Sequence, residues 1–148
     1  MILLCYDGSE HAQAAADVAA RLFPHAPVTV LCVWEPFIEV MAASGFGAGY
    51  PPPIQDVDEI DAAIREQATN TAREGADRVR HAGMASEPRV EARDVSVAAT
   101  ILEVADDVGA DAIVVGTRGL GGVKSMLLGS VSQALVHQAD RPVLVAPS

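Results

Sequence analysis

The chain has 148 residues, enough for one domain with a sizeable core but short for two. Twenty acidic residues against ten basic ones leave a net charge of −10, which speaks against the basic stripe of a nucleic-acid binder. No apolar run approaches the roughly 20 residues that span a bilayer, and "MILLCYDGSE" lacks the basic start and cleavage site of a secretory signal, so a cytoplasmic protein without membrane contact is expected.

Short apolar runs alternate with longer periodic segments. "ILLCY" (2–6) reads as the first strand. In the following helix (9–23) Ala12, Ala15, Ala16, Ala19, Ala20 and Phe23 recur at helical spacing, with Ser9 as cap and Glu10 in the first turn. "PVTVLCVW" (27–34) is the second strand. Residues 35–53, rich in Gly, Pro and small side chains, read as a flexible loop. From Gln55 to about Ala82 an apolar stripe marks a long helix. "RVEARDV" (89–95) alternates as a third strand, residues 96–108 form a helix capped by Ser96 and stopped at Gly109, and "DAIVVG" (111–116) is the fourth strand. A last helix (130–139) leads to the fifth strand, "PVLVAP" (142–147). Cys5 and Cys32 sit inside apolar runs at a spacing that suits neither zinc nor a redox pair, and are expected as buried reduced thiols.

This βαβαβαβαβ order, with near-continuous apolar strands, predicts one α/β domain: a doubly wound, Rossmann-like parallel sheet of five strands, order 3-2-1-4-5, with helices on both faces. Ligands of such sheets bind at the carboxyl ends of the strands, where strand order reverses. The segment after strand 4, "GTRGLGGVKSMLLGSVSQALV" (116–136), is therefore the first place to look. Its glycines allow backbone N–H groups to approach a ligand, and the start of the last helix adds positive potential for an anion. A Walker A loop is excluded because Val123 stands where its last glycine belongs; a dinucleotide fingerprint is excluded because "GLGGVK" ends in lysine and follows strand 4.

The spacing that is present is G-x2-G-x9-G-[ST]: Gly116, Gly119 and Gly129–Ser130. With "ILLCYDGSEHA" at the start and "RPVLVAP" at the end, the whole chain closely resembles the universal stress protein family, in particular its ATP-binding branch. The resemblance implies ATP as ligand, with any Mg²⁺ arriving on its phosphates. It places the backbones of Cys5 and Tyr6, and Val33, against adenine, and Asp7 on the ribose hydroxyls, a role a carboxylate suits better than phosphate contact. Val115 and Gly116 would flank ribose and α-phosphate. Arg118 and Gly119 would follow the phosphates, and Gly129, Ser130, Val131 and Ser132 would close on their far end. Ser132 is equally explained as a first-turn helix residue. Lys124, the single lysine of the chain, either neutralises polyphosphate from the loop tip or is a solvated loop residue. The resemblance further implies a stress-response role and a homodimer paired through the fifth strand, Pro142 to Pro147.

Other functions are weaker. Asp7, Ser9 and His11 share one short turn without a nucleophile elbow, which argues against a hydrolase triad. His25, His81 and His137 are isolated, and no cluster has metal-ligand spacing. A phosphorylation receiver would need an acidic pair where Asp7 stands alone and a lysine where Pro147 stands; Asp94 is its one partial match. No general base is nominated for phosphate chemistry, so no dedicated catalysis is expected, weak ATP hydrolysis at most. A slow ATPase or other adenine-nucleotide enzyme, and an AMP or cyclic AMP sensor, remain the alternatives.

Overall fold

The computed structural model describes residues 1–43, 54–120 and 128–147. Five parallel strands, β1 (Ile2–Cys5), β2 (Val28–Trp34), β3 (Ser86–Ala92), β4 (Ala112–Gly116) and β5 (Val143–Ala146), form one sheet in the order β3-β2-β1-β4-β5. The helices are α1 (Glu10–Leu22), α2 (Phe37–Ala43), α3 (Ile54–His81), α4 (Val97–Asp107) and α5 (Ser130–Gln138). The doubly wound α/β fold expected from the alternating pattern is the fold observed.

Alternation along the strands divides the core in two. Ile2, Leu4 and Tyr6 of the first strand and its end pack with Val28, Val30 and Val114 against α1 and α3. Leu3 and Cys5 pack with Leu31, Ile113 and Val115 against α4 and α5 on the other face. The fully buried residues of α1 are Ala12, Ala15, Ala16 and Ala19, which let the helix approach the sheet closely. Close approach follows: a Cβ built on Gly116 would lie 2.7 Å from the backbone carbonyl of His11.

The caps read from sequence are present. Ser9 Oγ accepts from Ala12 N (3.1 Å) and Ser96 Oγ from Ala99 N (3.1 Å). Past α4, Gly109 takes the positive φ (62°) that ends the helix without a side-chain clash.

Two expectations are corrected. The stretch 35–53 is not loop throughout, since Phe37–Ala43 is helical. Its first amide, Phe37 N, donates to Asp61 of α3 (2.7 Å), and Glu39 takes two hydrogen bonds from Arg93 beyond β3. Those anchors are tertiary, so local periodicity carries no trace of them; residues 44–53 lie outside the described part. The third strand is Ser86–Ala92 and not 89–95. It starts level with β2, Ser86 opposite Val28, and as the sheet edge it accepts polar Ser86, Glu87 and even Pro88, which apolar patterning passes over.

Candidate functional site

β1 stops at Cys5 while β2 runs on to Trp34, and β4 ends at Gly116. Between these carboxyl ends opens a cavity of about 430 Å³. Cys5, Tyr6 and Asp7 come to it from β1 and its exit, Val33 from β2, Val115 and Gly116 from β4. Arg118 and Gly119 follow on the loop, and Gly129, Ser130, Val131 and Ser132 close it from the start of α5. These twelve residues, nominated from the sequence, thus line one cavity, whereas Lys124 falls outside the described residues.

One end of the cavity is apolar. Leu31, Val33 and Val115 face Val97 and Ile101 of α4 across it. The Cys5 thiol sits here, pushed up to about 12 by burial and, secondarily, by the nearby Asp7 carboxylate, so it is a neutral thiol at physiological pH. The strand geometry adds a polar pair to this apolar slot. Leu31 O accepts from Tyr6 N (2.8 Å) on the β1 side, whereas Trp34 O accepts from Arg93 N (2.7 Å) on the β3 side. Backbone groups alternate along a strand. The N–H and C=O of Val33 therefore project with those of Leu31, past the point where β1 has ended.

The middle of the cavity belongs to Asp7. Gly8 takes a positive φ (82°), and in the resulting turn Asp7 Oδ1 accepts from Ser9 N (3.0 Å). Its other oxygen accepts from Leu120 N (3.0 Å) of the loop after β4. Gly119 comes so near that an added Cβ would lie 2.6 Å from Asp7 Oδ2.

The far end is built from backbone. Gly129 N donates to Thr117 O (2.7 Å), folding the chain back so that α5 starts beside the end of β4. Gly129 is the helix N-cap and offers no side-chain acceptor, which leaves the first-turn N–H groups of α5 without a partner inside the helix. These groups and the helix dipole make the end of the cavity attractive to an anion. Ser132 is buried, and its hydroxyl donates to Gly116 O (2.7 Å). It fastens α5 to β4. Ser130 is exposed at the helix start.

Tyr6 turns its ring to the opposite face of the sheet, against Gly75 of α3, where its hydroxyl donates to Glu74 Oε1 (2.8 Å). Sequence reasoning missed the α4 wall, although Val97 and Ile101 stand one helical turn apart on the apolar stripe of a helix already identified. It also missed the contact of His11 Nδ1 with Thr117 Oγ1 (2.9 Å), which joins residues 106 apart in the chain. Lys124, Gly121 and Gly122 lie outside the described residues. Among the described residues, no group of three or more His, Cys, Asp or Glu side chains is placed to hold a metal ion, and no helix is long and apolar enough to cross a membrane.

Residues 1–147 match the model of the universal stress protein family. The chain belongs to the universal stress protein family. One relative is a universal stress protein from Thermus aquaticus, 38% identical, the match covering 97% of this chain and 96% of that one. Among solved structures, protein MJ0577 of Methanocaldococcus jannaschii superposes with a TM-score of 0.78 at 23% identity, over 99% of this chain and 94% of the other. The universal stress protein of Archaeoglobus fulgidus in complex with dAMP superposes with a TM-score of 0.62 at 24% identity, over 98% and 95% of the two chains. These likenesses to solved universal stress proteins are of fold.

Proposed function

We propose that this universal stress protein binds an adenine nucleotide, ATP by preference, and acts as a nucleotide-dependent regulatory protein in a stress response. The observation that carries the proposal is the order of chemistry along one cavity: an apolar slot with a free backbone edge, then a carboxylate, then a helix N-terminus. A nucleotide presents the complementary order of base, sugar hydroxyls and phosphates.

Adenine fills the slot between Val33, Val115 and Ile101. Its ring nitrogen and exocyclic amine, an acceptor beside a donor, match the N–H and C=O of Val33. Asp7 accepts from the ribose hydroxyls with the lone pairs that Ser9 N and Leu120 N do not use. The phosphates lie along Gly116 to Gly119 and end against the first-turn amides of Ser130, Val131 and Ser132, with Mg²⁺ travelling on them. A cavity of about 430 Å³ is in the range of small-ligand pockets, roughly 300–1,000 Å³. Family membership supports the ligand class, and the Archaeoglobus fulgidus relative solved with dAMP has the same fold.

The proposal extends to a cytoplasmic homodimer paired through β5. That strand ends the sheet next to β4, and its half-buried Val143, Leu144 and Val145 stand on an edge with one unpaired row of backbone groups.

The test is to denature freshly purified protein, identify any released nucleotide by chromatography, and titrate the emptied protein with ATP, AMP and GTP while following phosphate release. Tighter binding of ATP than of AMP or GTP, without turnover, is the expected result. Turnover lost in Asp7→Ala would make the protein an ATPase. No binding of any nucleotide would remove the proposal.

A further inference from the structure

His11 is not among the residues lining the cavity, yet it touches Gly116 and Thr117, where the chain leaves β4. Its backbone packs on Gly116, where an added Cβ would lie 2.7 Å from the His11 carbonyl carbon and oxygen. Its ring nitrogen Nδ1 meets the hydroxyl of Thr117 at 2.9 Å. Thr117 is a junction: its N–H donates to Ala146 O of β5 (3.1 Å), and its carbonyl accepts from Gly129 N (2.7 Å) and from Ser132 Oγ (3.2 Å). Gly116, Gly129 and Ser132 all line the cavity. The three other bonds of Thr117 involve its backbone, and the histidine is the hydrogen-bond partner of its side chain.

We propose that His11 is a positioning residue for the phosphate end of the site, acting through Thr117, and that its protonation makes nucleotide binding tighter as pH falls. The inference rests on the nucleotide-binding function proposed above. In the neutral ring, an unprotonated Nδ1 accepts the Thr117 hydroxyl hydrogen; in the imidazolium both nitrogens donate, so the bond persists with its direction reversed. Thr117 is thus held in both states, while the acid form adds one positive charge beside a site for polyphosphate. Among the described residues, the charged groups nearest His11 and Thr117 in the chain are Asp7, Glu10 and Arg118; α1 also carries Asp17, paired with Arg78 of α3, and α3 carries Glu74. Asp7 already accepts two backbone N–H groups, and Glu74 takes the Tyr6 hydroxyl. The end of β5, Val145 to Pro147, brings no charged side chain.

The experiment is calorimetric titration of the emptied full chain with ATP between pH 5.5 and 8, on wild type, His11→Asn, Thr117→Val and Thr117→Ser. Asparagine retains a polar group for the Thr117 hydroxyl but does not titrate. Because the phosphates of ATP titrate identically in both proteins, the ratio of wild-type to H11N affinity isolates the histidine. That ratio is expected near one at pH 8 and to rise roughly fivefold by pH 5.5, the scale of one added charge near a partly solvated anion. T117V is expected to weaken binding several-fold at every pH, and T117S to restore it. A ratio that stays flat with pH, or T117V binding like wild type, overturns the inference. Absence of binding in wild type at every pH is a different result: it removes nucleotide binding itself.

Discussion

Asp7 Oδ2 accepts a hydrogen bond from Leu120 N at 3.0 Å, joining the end of the first strand to the loop after the fourth across 113 residues of chain. The same carboxylate holds its own turn through Ser9 N, so one side chain fixes both banks of the cavity. Removing it should loosen the loop and, on the proposed binding mode, delete the acceptor for the sugar together. Hydrogen bonds to a charged group are worth about 1.5–3 kcal/mol. Asp7→Ala is therefore expected to weaken ATP binding by roughly 10- to 100-fold. Gly119→Ala probes the same relationship from the other side. Its methyl group would sit 2.6 Å from Oδ2, and because the clash is with the end of a side chain, the carboxylate moves and the fold survives. Calorimetry should show about a tenfold loss of affinity, with a stability loss in urea of no more than about 1 kcal/mol. Wild-type affinity in G119A would show that Asp7 does not need its observed position.

Two glycines behave differently because their neighbours have nowhere to go. An alanine at Gly116 meets the backbone of His11 at 2.7 Å, and an alanine at Gly75 meets the Tyr6 ring at 2.7 Å and Val30 at 2.9 Å. Either substitution pushes a helix off the sheet, an overpacking that costs about 2 to 3 kcal/mol. Gly83, by contrast, has a φ of 91° with nothing within 4 Å, so alanine there incurs only backbone strain of about 1 to 2 kcal/mol. Urea midpoints should fall in the order wild type, G83A, G75A, G116A. A G116A protein as stable as G83A would mean that α1 does not sit as close to β4 as its buried alanines allow.

The layout of the site was legible because the strand ends, the Asp-Gly turn and the spaced glycines are local signals read in one dimension. Their convergence on one cavity follows from the strand order β3-β2-β1-β4-β5, which brings the ends of β1, β2 and β4 side by side. What stayed hidden is what tertiary contact decides. Helix α2 is started by Asp61 and tied down by Arg93, from elements distant in sequence. The opening of β3 is set by pairing with β2 and leaves no apolar mark on an edge strand. Val97 and Ile101 read as ordinary core positions of a helix, and only the sheet's geometry turns them toward the ligand slot. The Thr117–His11 bond had no local motif to announce it.

Ser132 separates a fastening role from a ligand contact. Its buried hydroxyl donates to Gly116 O, and alanine would leave that carbonyl without this donor. The expected cost is about 1–2 kcal/mol of stability, the usual price of a lost buried hydrogen bond. Affinity for ATP should drop only a few-fold, through looser placement of the α5 amides. If instead S132A keeps full stability and loses most of its affinity, the hydroxyl contacts phosphate directly and its bond to Gly116 is incidental.

The buried thiols set an alkaline limit on the fold. Cys5 is pushed up to about 12 and Cys32 to about 11, in both cases by burial first and by the Asp7 charge second, from an ordinary thiol value of 9.0. A raised folded-state value means that the unfolded chain releases protons before the native one does. Stability is therefore complete below pH 9 and is lost as pH rises from 9 toward 11 and beyond, approaching about 1.4 kcal/mol per pH unit for each thiol. Tyr6, raised above its ordinary 10.0 by burial and by its bond to Glu74, adds to the same slope above pH 10. Urea midpoints measured at pH 7.5, 9, 10 and 10.5 should decline ever more steeply. The Cys5→Ala, Cys32→Ala double variant starts lower at pH 7.5, because it loses buried volume, but its curve should be flatter between pH 9 and 10. A decline of unchanged steepness in the double variant would assign the alkaline lability to groups other than these two thiols.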